Sequence, residues 1–279
     1  MGKKLEFTVK ENEKAAAFLA ANVAGLSRAK ADILIKSGEM RVNGVRVKTN
    51  AELTAGDAVT VFVPDGLRGE ISVNTVYDDA NIVVFDKPKR TPYDALPQLY
   101  GKPLFAVHRL DTNTTGLIVF AKNENALKQL ESAFRDRRVK KTYEAVVYPA
   151  PQKDADILTA YTKLMHSRNL ALVSGTMKPG YKTMVTEYST VRRVGGGALI
   201  RVTPHTGRTH QIRAHLCFIG CPIAGEHKYG GARTIAGAPD TQMLAAVRLE
   251  FDGLTDGLEY LNGKIFVADN GFDLRFLEQ

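Results

Sequence analysis

Short apolar runs of about five or six residues, bounded by polar and turn-forming residues, dominate the chain beyond residue 70 and limit what it can fold into. Runs of this length and composition predict strands. They lie at 82–85, 116–120, 143–147 and 198–202. Helical patterns interrupt them at roughly 123–135 and 209–219, without regular strand–helix–strand alternation. We therefore predict an α+β fold with a larger mixed sheet in this part of the chain.

The first 63 residues predict a separate, smaller unit of two helices and a small sheet. The Ala-rich segment 13–24 favours a first helix. Ser27 is typical of an N-cap and predicts a second helix over 28–36, which ends at Gly38. Short strands follow at 40–42, 45–47 and 58–63, the first two joined by an Asn43-Gly44 turn.

A turn signal at Pro64-Asp65-Gly66 ends this unit. We therefore place a domain boundary there and predict an N-terminal domain over 1–63 and a larger domain over 64–279.

Positive charge is in excess, since 38 Lys and Arg against 30 Asp and Glu give a net charge of +8. Residues 1–63 hold ten basic and seven acidic side chains, so both predicted domains are basic. A basic excess of this size commonly indicates a polyanionic partner, and nucleic acid is the usual one. A soluble basic enzyme with scattered surface charge is the alternative.

No apolar run approaches the roughly 20 residues that a membrane-spanning helix needs. The N-terminal segment 1–7 lacks the apolar core of a signal peptide. Cys217 and Cys221 are four residues apart, and on one helix they are too constrained to pair with each other, so we expect no disulfide framework. These features favour a cytoplasmic protein without a membrane partner.

The segment 107–117 has the most unusual composition in the chain. Asp111 precedes a polar Thr-Asn-Thr-Thr loop that lies between two apolar stretches. A carboxylate at the end of a strand can act as a nucleophile when a cation and hydrogen bonds keep it ionised. The alternative is an aspartate that accepts hydrogen bonds from the amides of its own turn. Taken alone, the segment favours the turn.

A second cluster, residues 205–215, concentrates arginine and histidine. Its arginines are suited to bind phosphates or to balance a buried carboxylate. Four of the six histidines and both cysteines lie between 205 and 227, but their spacing matches neither a zinc ribbon nor a His-Glu-x-x-His motif. We therefore expect no metal site and interpret His215 and Cys217 as packing residues of a helix.

Short motifs follow one another in a characteristic order from about residue 70 to the end of the chain. They are Asp86-Lys87-Pro88, His108-Arg109-Leu110-Asp111, Thr115-Gly116-Leu117, Ala121-Lys122, Lys141-Thr142-Tyr143, the run 207–216, Gly220-Cys221-Pro222-Ile223 and Tyr229-Gly230. In this order they resemble the RluA-type pseudouridine synthases. The resemblance implies isomerisation of uridine to pseudouridine within RNA, without a metal or a nucleotide cofactor.

The resemblance also implies roles for three catalytic residues. Asp111 is the carboxylate that forms a covalent intermediate, and Arg213 is positioned to pair with it. Tyr143 stacks on the uracil and helps to remove its C5 proton. Whether Asp111 attacks C1′ of the ribose or C6 of the uracil stays open at this stage.

The same motifs imply a set of substrate-binding residues. Arg109 fills the gap that the base leaves when it is extruded from its stack, a step that costs a few kcal/mol. Ile212 lines the base pocket, and Arg208 and His210 complete the set.

Residues of the N-terminal unit carry a second resemblance. The matching residues are Phe18-Leu19, Gly25-Leu26-Ser27-Arg28, Ile35-Lys36-Ser37-Gly38, Val42-Asn43-Gly44 and Gly56-Asp57. Over about residues 13–63 they resemble the S-four-type RNA-binding domain. Where that domain often has Arg-Leu-Asp, this chain has Lys14-Ala15-Ala16-Ala17, which removes one arginine that would contact a phosphate.

A basic face on the N-terminal unit is expected to contact RNA phosphates without reading the base sequence. It consists of Arg28, Lys30, Lys36, Arg41, Arg46 and Lys48. The alternative is a solvated face on a small folding unit.

These interpretations favour large-subunit ribosomal RNA as the substrate, with tRNA second, and we expect the protein to act as a monomer. Two alternatives come from other classes: a non-catalytic RNA-binding factor, and a hydrolase that uses Asp111 with His108 or His210. The stretch from Pro88 to His108 is shorter than is usual in the family, so the particular uridine is left open.

Overall fold

The computed structural model describes residues 3–23, 26–64, 73–229 and 237–278. Ala24, Gly25, Asp65, Gly66 and Gly230, which contribute to the predictions from sequence, lie outside the described residues. Within the described ranges no helix is long and apolar enough to cross a membrane.

Two helices and a small antiparallel sheet make up the described N-terminal part. Its elements are β1 (Lys3–Thr8), β2 (Glu13–Lys14), α1 (Ala15–Asn22), α2 (Arg28–Ser37), β3 (Met40–Val42), β4 (Val45–Val47), β5 (Glu52–Leu53) and β6 (Ala58–Val63). Strands β1, β6, β3 and β4 form one sheet in that order, and β2 pairs with β5. The predicted hairpin and the last strand are confirmed.

The ends of α2 are those that the sequence predicts. The Ser27 hydroxyl accepts a hydrogen bond from the Lys30 amide at 3.3 Å, which is an N-cap. Gly38 follows the helix with φ of +78°, the left-handed conformation that glycine adopts without strain. The helix is one residue longer than predicted and includes Ser37.

The first predicted helix is wrong at its start, and one strand was missed. Glu13 and Lys14 pair with β5 instead of entering α1, because the chain first crosses to the 52–53 segment. Strand β1 joins the edge of β6, and Phe7 packs edge-on against Phe18 with ring centroids 5.9 Å apart. In both cases a strand forms because it pairs with residues that are distant in the chain. Local helix propensity carries no information about such pairing.

A large mixed sheet forms the rest of the molecule. The described elements are β7 (Asn74–Asp78), β8 (Ile82–Lys87), α3 (Leu96–Tyr100), β9 (Phe105–Ala106), β10 (Thr115–Ala121), α4 (Glu124–Arg135), β11 (Val139–Val147), β12 (Ala155–Met165), β13 (Leu170–Ser174), β14 (Lys182–Val194), β15 (Gly197–Pro204), α5 (Gln211–Phe218), β16 (Leu244–Phe251) and β17 (Ile265–Val267). The strand order is β13-β12-β14-β15-β11-β16-β10-β8-β7, with β9 beside β10 and β17 beside β16. The predicted α+β class with a mixed sheet is confirmed.

Strands β8 and β10 are buried on both faces, which explains why their sequences are continuously apolar. One buried cluster contains Val83, Phe85, Ile118 and Phe120 together with Ile212 and Leu216 of α5. The other contains Ile82, Val84, Leu117 and Val119 together with Ala126 and Leu130 of α4. Since successive side chains of a strand point to opposite faces, the two helices cover opposite sides of the central strands.

Gly116 allows β10 to lie against β16, with which it pairs in parallel. Its φ is +97°, and a Cβ at this position would lie 2.2 Å from the carbonyl oxygen of Ala246. Only glycine therefore fits at the start of β10, directly after the loop that contains Asp111.

The N-terminal part packs against residues that precede and form α3. Ala95 is fully buried in the apolar cluster of the N-terminal helices, and Leu99 packs at its margin. The Lys36 ammonium lies 3.2 Å from the Asp94 carboxylate. These contacts hold α2 beside the 93–100 segment, and they bring Lys36 to the same side of the molecule as the loop of Asp111.

Candidate active site

Asp111 lies in a tight turn immediately before β10. The turn is closed by its backbone, since the Thr114 amide donates to the Asp111 carbonyl at 3.0 Å. The Thr114 hydroxyl in turn accepts from the Gln242 amide at 2.8 Å, which ties the turn to the segment before β16. The carboxylate is 18 % exposed and is bound by Arg213. The sequence left two interpretations of this segment open: a carboxylate held by a cation, and a carboxylate bonded to the amides of its own turn. In the structure the Asp111 carboxylate is bound by the Arg213 cation.

Arg213 connects two carboxylates. Its Nη1 donates to Asp111 Oδ2 at 2.7 Å, while Nε and Nη2 donate to the two oxygens of Glu226 at 2.6 and 3.0 Å. Burial acts against the charged form of Arg213, but the bonds and charges of Glu226 and Asp111 outweigh it and raise its pKa. Arg213 is therefore a permanent cation beside Asp111.

Glu226 is a site residue that the sequence reasoning missed. Its side chain is almost completely buried and also accepts from the Lys228 amide at 2.7 Å. Burial alone would raise its pKa, but the hydrogen bonds and charge of Arg213 and the backbone amides lower it. In the sequence, Glu226 is a single acidic residue between Gly225 and Tyr229, and no neighbouring motif relates it to Arg213.

His210 immediately precedes α5 and faces the same carboxylate. Its Nε2 lies 3.9 Å from Asp111 Oδ1, and its Nδ1 lies 2.6 Å from the Tyr229 hydroxyl. That hydroxyl accepts a hydrogen bond from the Ala171 amide at 2.9 Å. Burial lowers the pKa of His210 to about 4, so the imidazole is neutral at neutral pH.

Tyr143 lies on β11, between β15 and β16, next to a register irregularity at Thr142. Burial, with the charge of Asp111, raises the pKa of the Tyr143 phenol, so this group keeps its proton at neutral pH. A cavity of about 940 Å³ connects it with the other residues predicted for the site. The lining includes Arg109, Asp111, Tyr143, Arg208, His210, Ile212 and Arg213.

Arg109 and Arg208 occupy different settings within this lining. Arg109 is exposed, with its guanidinium carbon 5.7 Å from the centroid of the Tyr93 ring. Arg208 is tied to the sheet, since its Nε donates to the Thr183 carbonyl at 3.0 Å and its amide to Gln211 Oε1 at 3.0 Å. Arg109 therefore has the greater freedom to move toward a substrate.

Lys87 is a second residue whose role was not predicted, although its motif was noted. It is fully buried, and its ammonium donates to the carbonyls of Pro88, Thr91 and Thr112 at 2.9–3.0 Å. Burial lowers its pKa to about 7, against the opposing charges of Asp111 and Asp86. Lys87 thus links the chain after β8 to the loop of Asp111.

His215 and Cys217 lie on α5 and pack there, as predicted. His215 is buried with its Nδ1 2.9 Å from the Thr186 hydroxyl, and Cys217 on the same helix contacts the Tyr229 carbonyl. Cys221 lies beyond the end of α5, so the premise of one helix for both cysteines is wrong. Both are free thiols.

The basic residues predicted for the N-terminal face fall into two groups. Arg41 and Arg46 are opposite each other on the β3–β4 hairpin, and Arg46 and Lys48 flank Gly38 at the end of α2. Lys36 lies on the last turn of that helix. Arg28 and Lys30 lie at its other end, away from these four residues.

Residues 73–217, just over half of the chain, match the model of the RNA pseudouridylate synthase family. The chain belongs to this family. This RNA pseudouridylate synthase is therefore an isomerase, as the motifs predict. The family match covers Asp111, Tyr143 and Arg213, and it does not extend to the N-terminal part of the synthase.

Curated relatives and a solved structure agree with this assignment. An uncharacterized RNA pseudouridine synthase of Bacillus subtilis (strain 168) is 30% identical over 83% of this chain and 84% of its own. The ribosomal large subunit pseudouridine synthase C of Vibrio cholerae is 31% identical over 72% of this chain and 71% of its own. The solved structure of human RNA pseudouridylate synthase domain containing 4 is similar with a TM-score of 0.57 and 25% identity, over 74% of this chain and 90% of that one.

Proposed function

We propose that this synthase converts uridine to pseudouridine in large-subunit ribosomal RNA, with Asp111 as the nucleophile. The observation that carries the proposal is the Asp111 carboxylate held 2.7 Å from Arg213 at a cavity that also contains Tyr143. The name of the Vibrio cholerae relative supports the choice of RNA.

Covalent catalysis suits this reaction because base and ribose must stay together between cleavage and rejoining. The bond between N1 and C1′ breaks, the uracil rotates, and a bond between C5 and C1′ forms, with a proton leaving C5 and one arriving at N1. Asp111 attacks either C1′ or C6 and is released at the end. Arg213 places a permanent positive charge beside the Asp111 carboxylate, because the guanidinium cannot lose its proton.

Tyr143 contributes its ring in this proposal. Because burial and Asp111 raise the pKa of its hydroxyl, the resting protein holds a neutral phenol. A neutral phenol is a poor base, so stacking on the uracil is the more favoured part of its predicted role.

Arg109 is suited to replace the extruded base. Its guanidinium is exposed at the cavity and lies over Tyr93, so it is free to turn toward an RNA substrate. A planar cation that stacks between neighbouring bases offsets part of the few kcal/mol that base extrusion costs.

We also propose that residues 1–63 form an RNA-binding domain and that 64–279 form the catalytic domain. The exposed cations Arg41, Arg46 and Lys48, which follow α2 along the β3–β4 hairpin, support this division. Such cations attract the phosphate backbone whatever the base sequence.

The test is to incubate the purified protein with large-subunit ribosomal RNA fragments and, separately, with a tRNA pool, and to map pseudouridine by chemical labelling. Asp111→Asn serves as the inactive control. We expect conversion at one or a few uridines of the ribosomal fragments. Conversion confined to tRNA would reassign the substrate, and binding without any conversion would indicate a non-catalytic RNA-binding factor.

A further inference from the structure

A second cavity, of about 720 Å³, lies between the N-terminal unit and the catalytic part of the chain. We call it the interdomain groove. Lys36, Lys48 and Phe62 line it from the N-terminal side, and Tyr93 and Lys228 line it from the catalytic side. Asp111, Arg109, His210 and Arg213 line this groove as well as the first cavity. The groove therefore leads from the N-terminal unit to the candidate nucleophile.

Most charges along the groove neutralise one another. Lys36 pairs with Asp94, and Arg90 pairs with Asp240. Asp111 pairs with Arg213, which is also neutralised by Glu226.

Three lining cations, Lys48, Arg109 and Lys228, make no ion pair within the described residues, and a single unpaired acid, Glu39, faces them among those residues. The groove therefore offers a surplus of positive charge beside Asp111.

Lys48 and Lys228 come from different units and affect each other. Partial burial lowers the pKa of Lys228, and the charges of Arg213 and Lys48 lower it further, against the opposing charges of Asp111 and Glu226. Two ammonium groups that repel each other across a groove are stabilised when an anion lies between them. Both are exposed, so an anion can reach them without displacing protein.

We propose that the interdomain groove binds the phosphodiester backbone of the RNA strand that carries the target uridine, with Lys48 and Lys228 contacting its phosphates from opposite walls. The proposal rests on the proposed function and adds a path for the strand. The backbone enters between the two units and continues to the cavity of Asp111 and Tyr143. The N-terminal unit then does more than raise affinity, because it forms one wall of the site that positions the nucleotide next to the target.

The test compares Lys48→Gln, Lys228→Gln and the double variant in the full chain. Lys10→Gln and Lys102→Gln are the matched controls, because each changes an exposed lysine of one unit that lines neither cavity. Binding of a fluorescein-labelled single-stranded oligouridylate is measured by anisotropy over a series of salt concentrations. Thermal unfolding confirms that each variant is folded.

We expect each groove variant to bind about 3- to 10-fold more weakly and to lower the salt slope by about one, since each loses one phosphate contact. Lys48→Glu should bind more weakly than Lys48→Gln, because the new carboxylate repels phosphate and pairs with Lys228. With a converted RNA, the groove variants should raise KM more than they lower kcat. Either lysine variant binding as tightly as the two controls would overturn the proposal.

Binding is measured without turnover, so the two proposals fail separately. If the wild-type protein forms no pseudouridine but the Lys48 and Lys228 variants bind RNA more weakly than the wild type, the proposed function is refuted and the groove is supported. Normal turnover with unchanged binding in the groove variants would do the reverse.

Discussion

The carboxylate of Glu226 accepts two hydrogen bonds from the guanidinium of Arg213, from Nε at 2.6 Å and from Nη2 at 3.0 Å. This bidentate pair leaves Nη1 to reach Asp111. A planar guanidinium held on one edge by a buried carboxylate has little freedom to rotate. Glu226 therefore positions Arg213, and through it Asp111.

Replacing Glu226 by glutamine should lower turnover while leaving RNA affinity nearly unchanged. The amide offers one oxygen where the carboxylate offers two, so Arg213 loses a hydrogen bond and its fixed orientation. We expect kcat to fall by about 10- to 100-fold, which is about 1.4 to 2.7 kcal/mol. Glu187→Gln, at an exposed residue that pairs with His205, is the control. Equal kcat for the two variants would remove Glu226 from this role.

Replacing Asp111 by asparagine should abolish conversion. Asparagine keeps the shape and one acceptor for Arg213 but lacks the carboxylate that we propose as the nucleophile, so we expect a loss of about 10⁴-fold or more. The variant should fold as the wild type does, and its dissociation constant for RNA should stay within about twofold of the wild-type value. Asp252→Asn, on the surface, is the matched control. Measurable single-turnover conversion by Asp111→Asn would exclude the covalent mechanism.

Replacing Gly116 by alanine should destabilise the protein far more than replacing Gly44. Both glycines have positive φ, of +97° and +79°, but a Cβ at Gly44 meets no atom within 4 Å. Gly44→Ala should cost about 1–2 kcal/mol for its backbone conformation alone. Gly116→Ala adds a collision with the Ala246 backbone, and we expect a loss on the order of 4 kcal/mol or more. Denaturant unfolding of both variants measures the difference, and equal losses would show that β10 and β16 can separate without cost.

Acidification should narrow the stability gap between the wild type and His215→Gln. Burial lowers the pKa of His215 to about 4, below the ordinary value of 6.5. The unfolded chain therefore binds more protons between these values, so the wild type loses stability as the pH falls from 6.5 toward 4. The His215→Gln variant lacks this imidazole, so its stability does not fall for this reason as the pH decreases.

Melting temperatures of both proteins between pH 7.5 and 4.5 check the histidine prediction, with His227→Gln as an exposed-histidine control. The gap between wild type and His215→Gln should shrink by a few degrees. A gap that is constant or widens would mean that His215 accepts a proton in the folded state.

Deleting residues 1–63 should weaken RNA binding and flatten its salt dependence, because several phosphate contacts are lost. The truncated protein should also melt at a lower temperature, since Ala95 and Leu99 lose the apolar cluster that covers them. Salt titrations of binding and thermal unfolding report the two effects. An equal salt slope for both proteins would identify the basic face as solvated surface.

Local signals predicted the elements that depend on neighbours in the chain. Ser27 and Gly38 set the ends of α2, and the Asn43-Gly44 turn set the β3–β4 hairpin. The prediction failed where pairing with distant residues decided the outcome. Glu13 is a strand residue because of β5, and β1 exists because β6 offers it an open edge.

The sequence by itself determined the fold class, the family motifs and seven of the residues that line the first cavity. The order of the motifs was enough for these predictions, because the residues that form each motif are adjacent in the chain. The tertiary structure alone decided that Glu226 holds the other edge of the Arg213 guanidinium, whose pairing with Asp111, 102 residues away, the family resemblance had implied. It also decided that Lys48 and Lys228, from different parts of the chain, line one groove. These contacts depend on the path of the chain across the sheet and on which charged groups are buried together. A local sequence pattern contains neither kind of information.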